Sequence, residues 1–313
     1  MKNKSFQHYV PKFLLEYFSI EGHLYVYDRE NKAIRKQTPR STAGEKNYYI
    51  VTTKSGGKSD AVEKMFSEIE KHAAKIIKKI NSGDHKLSAQ EKADFAMFLA
   101  ALYLRVPHSI DKSHDTSKQM TQEIMKRAAM FEPHFEKGME VIQKKHGYRL
   151  TKKQKDEIRE TFIEKRYKVE FPKEHMIKTM LMLMQEFYYI IAQMEWTILT
   201  SPRGKKFITS DNPVYTMNIK PEGFWGSGIG LLAPNCETVA VLTPSVAIFL
   251  SQNHNPDAVY SEIAKKRFVE NINKRTAICS TRFVVSKNRK LLSKVVKDVQ
   301  LEKRGQYGQV KVY

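Results

Sequence analysis

Cysteine is scarce. Cys236 and Cys279 are the only two, and their spacing fits neither a disulfide framework nor a paired Cys-x-x-Cys metal or redox motif. Buried, reduced thiols are the expectation, and with them a cytoplasmic location. Long apolar runs are missing as well. Nothing approaches the ~20 consecutive apolar residues of a membrane span, so no membrane partner is expected. The longest stretch, FAMFLAALYL at 95–104, suits a buried helix. The N-terminal MKNKSFQHYVPKFLLEYF has no continuous apolar core followed by a small-residue cleavage site, and reads as structured chain rather than a signal peptide. Several chemistries also lack their local signatures. There is no GxxxxGK[ST] phosphate loop, no HExxH and no GxSxG. GSGIG at 226–230 has neither the spacing nor the strand-to-helix setting of a dinucleotide fingerprint.

Acidic residues are in deficit: 34 Asp+Glu stand against 54 Lys+Arg, a net charge of +20. Such an excess favours a polyanionic partner, with nucleic acid leading and a merely soluble basic surface as the plain alternative. Most of the excess is lysine, which meets phosphate as a point charge rather than as a base-reading fork. Sequence-independent backbone contacts are therefore expected. The 313 residues, 41% of them apolar, suffice for one large domain or two intimately packed ones.

The apolar pattern divides the chain in three. GHLYVYDRENKAIRKQT alternates apolar and polar residues on both sides of Asp28-Arg29-Glu30-Asn31, a hairpin signal, and YYIVTT at 48–53 predicts a further strand. From Asp60 the period becomes helical through Val62, Phe66, Ile69, Ala73, Ile76, Ile77 and Ile80. Ser59 or Asp60 can cap that helix and Gly83 can end it. Ser88 and Glu91 form a capping box for the next helix, which Pro107 closes. Residues 109–172 are polar and lysine-rich and predict a basic insertion of two or three amphipathic helices, broken near Pro133 and Gly147. KEHMIKTMLMLMQEFYYIIAQMEW at 173–196 is apolar nearly all round and predicts a helix buried on most sides. Strands follow at WTILTS, KFITSD, VAVLTP, VAIFLSQ and RFVVSK, with a helix over roughly 256–279 before the last. The tail, 287–313, carries eight Lys+Arg against two Asp+Glu and reads as a basic arm or a solvated end. The fold class is α+β: a mixed sheet drawn from the N- and C-terminal parts, with a large helical block between. Residues 1–313 then form a single composite domain.

The chemistry-bearing residues are dispersed. His8 sits in HYVP, stiffened by Pro11; a lone histidine is by default a surface or locally bonded one. Glu63 and Glu70, seven apart, share one helix face, where a solvated stripe is the plain reading. Arg105 closes an apolar helix, either as a cation suited to the helix dipole or as an anion clamp. Asp211-Asn212-Pro213 ends FITSDNPV, and all three residues favour turns. HYVP, LYVYD, VEKMFSEIE, FLAALYLRVP, FITSDNPV and VAVLTPSVAIFLS occur in that order. Together they resemble the bacterial family labelled domain of unknown function 4238, over most of the chain and most weakly over 109–170 and the tail. On that resemblance His8, Tyr9, Pro11, Glu63, Glu70, Arg105, Pro107, Asp211, Asn212 and Pro213 match the family's pattern. It implies a polar set that converges in one place and a setting in mobile or defence-associated genes, but it names no reaction.

Three functions are compatible with these residues. The first is a nucleic-acid-directed enzyme, a nuclease with RNA slightly ahead of DNA. In it His8, Glu70, Arg105, Asp211 and Asn212 form the catalytic set: Asp211 and Glu70 hold a divalent metal or act as base, His8 is the acid/base, and Arg105 binds the scissile phosphate. Mg2+ or Mn2+ is one way to run such a site and metal-free acid–base chemistry is the other; the residues leave both open. The second is a non-catalytic module that binds nucleic acid or a protein partner, with the polar set as a buried network. The third is a small-molecule hydrolase. An open, lysine-edged cleft around Asp211, Arg105 and His8 would favour the first, and full burial with mutual pairing the second.

Overall fold

The computed structural model describes residues 6–52, 57–218, 230–233, 236–252, 255 and 258–303. The chain divides into two compact units, Met1–Ile110 with Ile177–Tyr313, and Asp111–Met176. The first begins with β1 (Phe6–His8), α1 (Lys12–Glu16), β2 (Leu24–Asp28), β3 (Ala33–Gln37), β4 (Gly44–Lys46), β5 (Val51–Thr52), β6 (Lys58–Ser59), α2 (Ala61–Asn81) and α3 (Ala89–Leu104). Helices α4 (Pro107–Met130), α5 (Glu132–His146), α6 (Lys152–Ile163) and α7 (Lys173–Gln193) follow. The last part holds β7 (Glu195–Thr200), β8 (Thr209–Ser210), β9 (Val214–Asn218), β10 (Cys236–Val241), β11 (Val246–Ser251), β12 (Val259–Ile263), α8 (Lys266–Ile278), β13 (Phe283–Ser286) and α9 (Arg289–Asp298). The fold is α+β. Among the described residues no helix is long and apolar enough to cross a membrane.

Two sheets organise the first unit. One has the order β3-β2-β13-β8 and is antiparallel throughout. It joins the two ends of the chain, with Val26 opposite Val285. Its hairpin closes where the predicted turn lies, because Asp28 Oδ1 accepts the amides of Glu30 and Asn31, as an aspartate in a turn does. The other has the order β12-β7-β11-β10-β9, and only its β12–β7 pair is parallel. The mixed sheet therefore comes entirely from the C-terminal part. Trp196, Ile198, Val239, Val241, Ile248 and Leu250 are wholly buried, as are Phe95, Leu99 and Leu102 of α3. Each such side chain contributes roughly 1.5–3 kcal/mol by leaving water.

Local signals place the helices well. Ser88 and Glu91 make the full capping box of α3. Thr151 and Gln154 make another on α6, and Gly147 closes α5 at φ 72°. Residues 111–176 have a small core of Ala129, Phe135 and Met139 and carry 16 Lys+Arg against 12 Asp+Glu. The basic excess of the chain thus lies mostly outside this helical unit.

Several elements differ from the sequence expectation. The strand over 206–211 shrinks to Thr209–Ser210, because the Ile208 amide is taken by Asn273 Oδ1 instead of a neighbouring strand. The strand at 48–53 shrinks to Val51–Thr52 among the described residues, since the Tyr49 amide goes to Gln7 Oε1. The helix over 256–279 is strand β12 followed by α8; pairing with the edge of β7 overrides local preference. The tail contains α9, capped by the Asn288 side chain and holding Leu292, Val295 and Val296 against the sheet. Its lysines had masked that stripe. Helix α7 is less buried than its composition suggests: Met182 is 66% and Tyr189 52% exposed.

Candidate functional site

The first cluster is assembled from β1, the 48–49 turn, α2 and the end of α3. Strand β1 pairs with β4 so closely that His8 faces Gly44. A Cβ on Gly44 would lie 2.5 Å from the Phe6 ring and 2.6 Å from the Gln7 carbonyl oxygen, so only glycine admits this approach. His8 Nε2 lies 3.2 Å from the Pro39 carbonyl oxygen. A carbonyl only accepts, so the proton sits on Nε2 and Nδ1 keeps its lone pair. Burial lowers the His8 pKa; the backbone of Pro39 and of Arg40, and then the charge of Glu70, oppose that shift without cancelling it. The imidazole is therefore neutral near pH 7.

Arg105 is the centre of this cluster. It sits at the C-cap of α3, its amide bonded to the Ala101 carbonyl, and is 1% exposed. Its Nη1 donates to Glu70 Oε1 at 2.7 Å, and its Cζ lies 5.0 Å from the Phe66 ring centroid. Among the described residues Nε and Nη2 have no hydrogen-bond partner, and neither does the buried Tyr49 hydroxyl. Unpaired buried donors cost about 1–3 kcal/mol each, so three of them in one neighbourhood call for a reason. Glu63, two turns before Glu70, has its pKa raised, first by burial and then by the Glu70 charge, against the pull of Arg105. Burial likewise raises the Tyr49 phenol, with Arg105 opposing and Glu63 and Glu70 adding to the rise. One guanidinium thus stands among two carboxyl groups, a phenol and a neutral imidazole. Chemically, such a set has the charge and the hydrogen-bonding groups to hold an anion.

Asp211 and Asn212 do other work. Asp211 is 1% exposed. Its Oδ1 accepts the Thr281 amide at 2.9 Å, and its Oδ2 accepts the amides of Arg282 at 2.6 Å and Phe283 at 2.9 Å. Burial pushes the carboxyl up to about 6, although the three amides pull the other way. Asn212 Nδ2 donates to the Cys279 carbonyl at 3.0 Å, and its amide is held by Ser210 Oγ. The pair fastens the α8–β13 connection to the end of β8. Among the described residues no hydrogen bond or ion pair joins Asp211 or Asn212 to Arg105, Glu70 or His8. Tyr9 lies between the groups electrically: burial raises its phenol first, and the charge of Asp211 adds to that, as does Tyr49.

Of the residues expected to act together, Glu70 and Arg105 are in contact, His8 is within reach of the Glu70 charge, and Asp211 and Asn212 belong to a separate backbone network. Of the two carboxylates expected to hold a metal, Glu70 binds Arg105 and the oxygens of Asp211 face amides. Among the described residues no group of three or more His, Cys, Asp or Glu stands ready to hold a metal ion. Tyr49 and Phe66 were not singled out from sequence. Glu63 was, by its place on the Glu70 face and by the family pattern, but not as a member of the catalytic set.

No curated protein matches the chain, and no solved structure does. A family model described as "Protein of unknown function (DUF4238)" matches residues 7–290, a span that contains every residue of both clusters. The chain belongs to that family.

Proposed function

We propose that the chain is a nucleic-acid-directed enzyme, a nuclease, working at the Arg105 cluster. The observation that carries this reading is the pair of uncommitted N–H groups on a buried arginine. A guanidinium edge with two free donors matches two phosphate oxygens, and the net charge of +20 draws a polyanion to the surface. The His8 lone pair, on a neutral ring, takes the proton of the attacking hydroxyl or water; as the new P–O bond forms, the P–O bond to the leaving oxygen breaks, and that oxygen takes its proton from water. Glu70 holds Arg105 in orientation, and Arg105 stabilises the charge that grows on the phosphate. A divalent cation such as Mg2+ or Mn2+ would add charge stabilisation, but Glu70 is already paired with Arg105, so the scheme assigns the cation no ligand here. RNA stands slightly ahead of DNA, since its 2′-hydroxyl supplies an internal nucleophile.

The burial of Arg105 and its pairing with Glu70 favour a second reading, a non-catalytic module that binds nucleic acid or a protein and uses the cluster as internal scaffolding. The test is incubation of the purified protein with end-labelled RNA and DNA, with Mg2+, with Mn2+ and with EDTA, alongside His8→Gln and Glu70→Gln. Cleavage that falls ~10²-fold or more in a normally melting His8→Gln variant supports the enzyme. Absence of cleavage under every condition, or full cleavage by folded His8→Gln, overturns it; retained binding then selects the module.

A further inference from the structure

We propose a second binding site, for a nucleoside phosphate, in a cavity of about 370 Å³ between the 204–207 segment, α8 and α9. Its volume lies within the range of small-molecule sites. It shares no residue with the Arg105 cluster and stands independently of the reading above.

The cavity has an apolar interior and a basic rim. Phe207, Leu291 and Val295 form the interior, with Ile20 at the edge. Five lysines surround it, at 205, 206, 274, 287 and 294, against two carboxylates, Glu270 and Asp298. Lys205 is committed to Glu270 and Lys206 to Ser245 Oγ. Lys274, Lys287 and Lys294 make no hydrogen bond or ion pair among the described residues; Lys274 and Lys294 feel the charge of Glu270, but that carboxylate is bonded to Lys205, so the three ammonium groups keep their donors for an anion.

The walls are preformed. Asn273 accepts the Ile208 amide and donates to the Lys206 carbonyl, which locks α8 to the 204–207 segment. Ser286 Oγ accepts the Asn288 amide, and Asn288 Oδ1 accepts the Leu291 amide, which sets the first turn of α9 at the cavity edge. A solvated charge run explains lysines along an amphipathic helix, but it does not explain why uncommitted lysines from α8, α9 and the loop before α9 surround one apolar hollow. An apolar ligand leaves those charges unused, and a bare anion leaves the hollow unused. A flat ring bearing a phosphate uses both. The basic surface also continues outward: Arg289, Lys290, Lys294 and Lys297 line an adjoining shallow cleft. The phosphates of a longer chain can follow it once its terminal nucleotide is seated.

Calorimetric titration at low salt tests this with adenosine 5′-monophosphate, adenosine, inorganic phosphate, and short 5′-phosphorylated RNA and DNA. The monophosphate is expected to bind roughly tenfold or more tightly than adenosine or phosphate, since one charge-assisted contact is worth that much. Lys274→Glu with Lys294→Glu should weaken it by at least the same factor, roughly tenfold, with an unchanged melt. Should that double variant fold poorly, Lys287→Glu, at an exposed position, makes the same test. If the oligonucleotides bind more tightly and Lys290→Glu/Lys297→Glu weakens only them, the ligand is the end of a polymer. Equal affinities identify a free nucleotide. The proposal is overturned if neither the monophosphate nor the oligonucleotides bind, if inorganic phosphate binds as well as the monophosphate, or if binding survives in the folded rim variants.

Discussion

At Asp211 three amide N–H groups converge on one carboxylate. Asn in its place keeps one acceptor oxygen and turns an NH2 toward amides that need an acceptor. Asp211→Asn should therefore lose roughly 2–3 kcal/mol, seen as a Tm lower by about 5 °C or more. A Tm matching that of the parent would return Asp211 to the status of a simple turn residue. His8 makes a prediction about pH. Its folded pKa lies below the unfolded value of ~6.5 because burial disfavours the charged ring. As pH falls through that range the unfolded chain takes up the proton first, so the stability that neutral His8 supports is present above it and lost below it. Urea melts at pH 7.5 and 5.5 should show a smaller acid loss for His8→Gln than for the parent; equal losses would contradict this. At this scale the sequence was informative about residue types and silent about their partners. Asp211 read as a turn residue and also as a candidate ligand, and nothing local pointed to the 281–283 amides, some 70 residues away, that its carboxylate accepts.

Among the elements, β1 depends on one glycine. Gly44→Ala forces β1 and β4 apart at the point where His8 is positioned, because the new methyl group meets the Phe6 ring and the Gln7 carbonyl. Overpacking of this kind costs about 1–3 kcal/mol, and the catalysis proposed for His8 should fall with it. A thermal melt and a cleavage assay check both effects; an unchanged melt would show that β1 can yield. Elements whose signals are local were legible in advance: the capping box of α3, the glycine stop of α5 and the hairpin closed by Asp28. Elements decided by distant partners were not. Strand β12 forms because β7 offers a parallel edge, β8 stops early because Asn273 claims the Ile208 amide, and α9 folds because its Leu292, Val295 and Val296 find a surface to cover.

For the whole molecule the net charge of +20 is what makes the proposed nucleic-acid partner testable. Binding to nucleic acid should weaken steeply and linearly in log–log terms as salt rises, through release of condensed counterions. Replacing exposed lysines should lower affinity similarly for unrelated sequences and reduce the slope. Filter binding between about 50 and 200 mM salt measures this, and binding indifferent to salt would refute a phosphate-led interaction. The charge is also unevenly placed, since residues 111–176 hold 16 basic against 12 acidic side chains. The first surface to alter is thus the lysine rim of α8 and α9 rather than the helical unit.

Composition, period and capping determined the fold class, most helix boundaries, the first hairpin and the electrostatic character, because each depends on residues a few positions apart. The tertiary structure decided what the polar residues do. Whether Arg105 keeps two donors free, whether Asp211 has an oxygen to spare, and whether lysines 205 to 294 surround a hollow all depend on which distant segments reach them first. Long-range packing sets that competition, and no local pattern of the sequence encodes it.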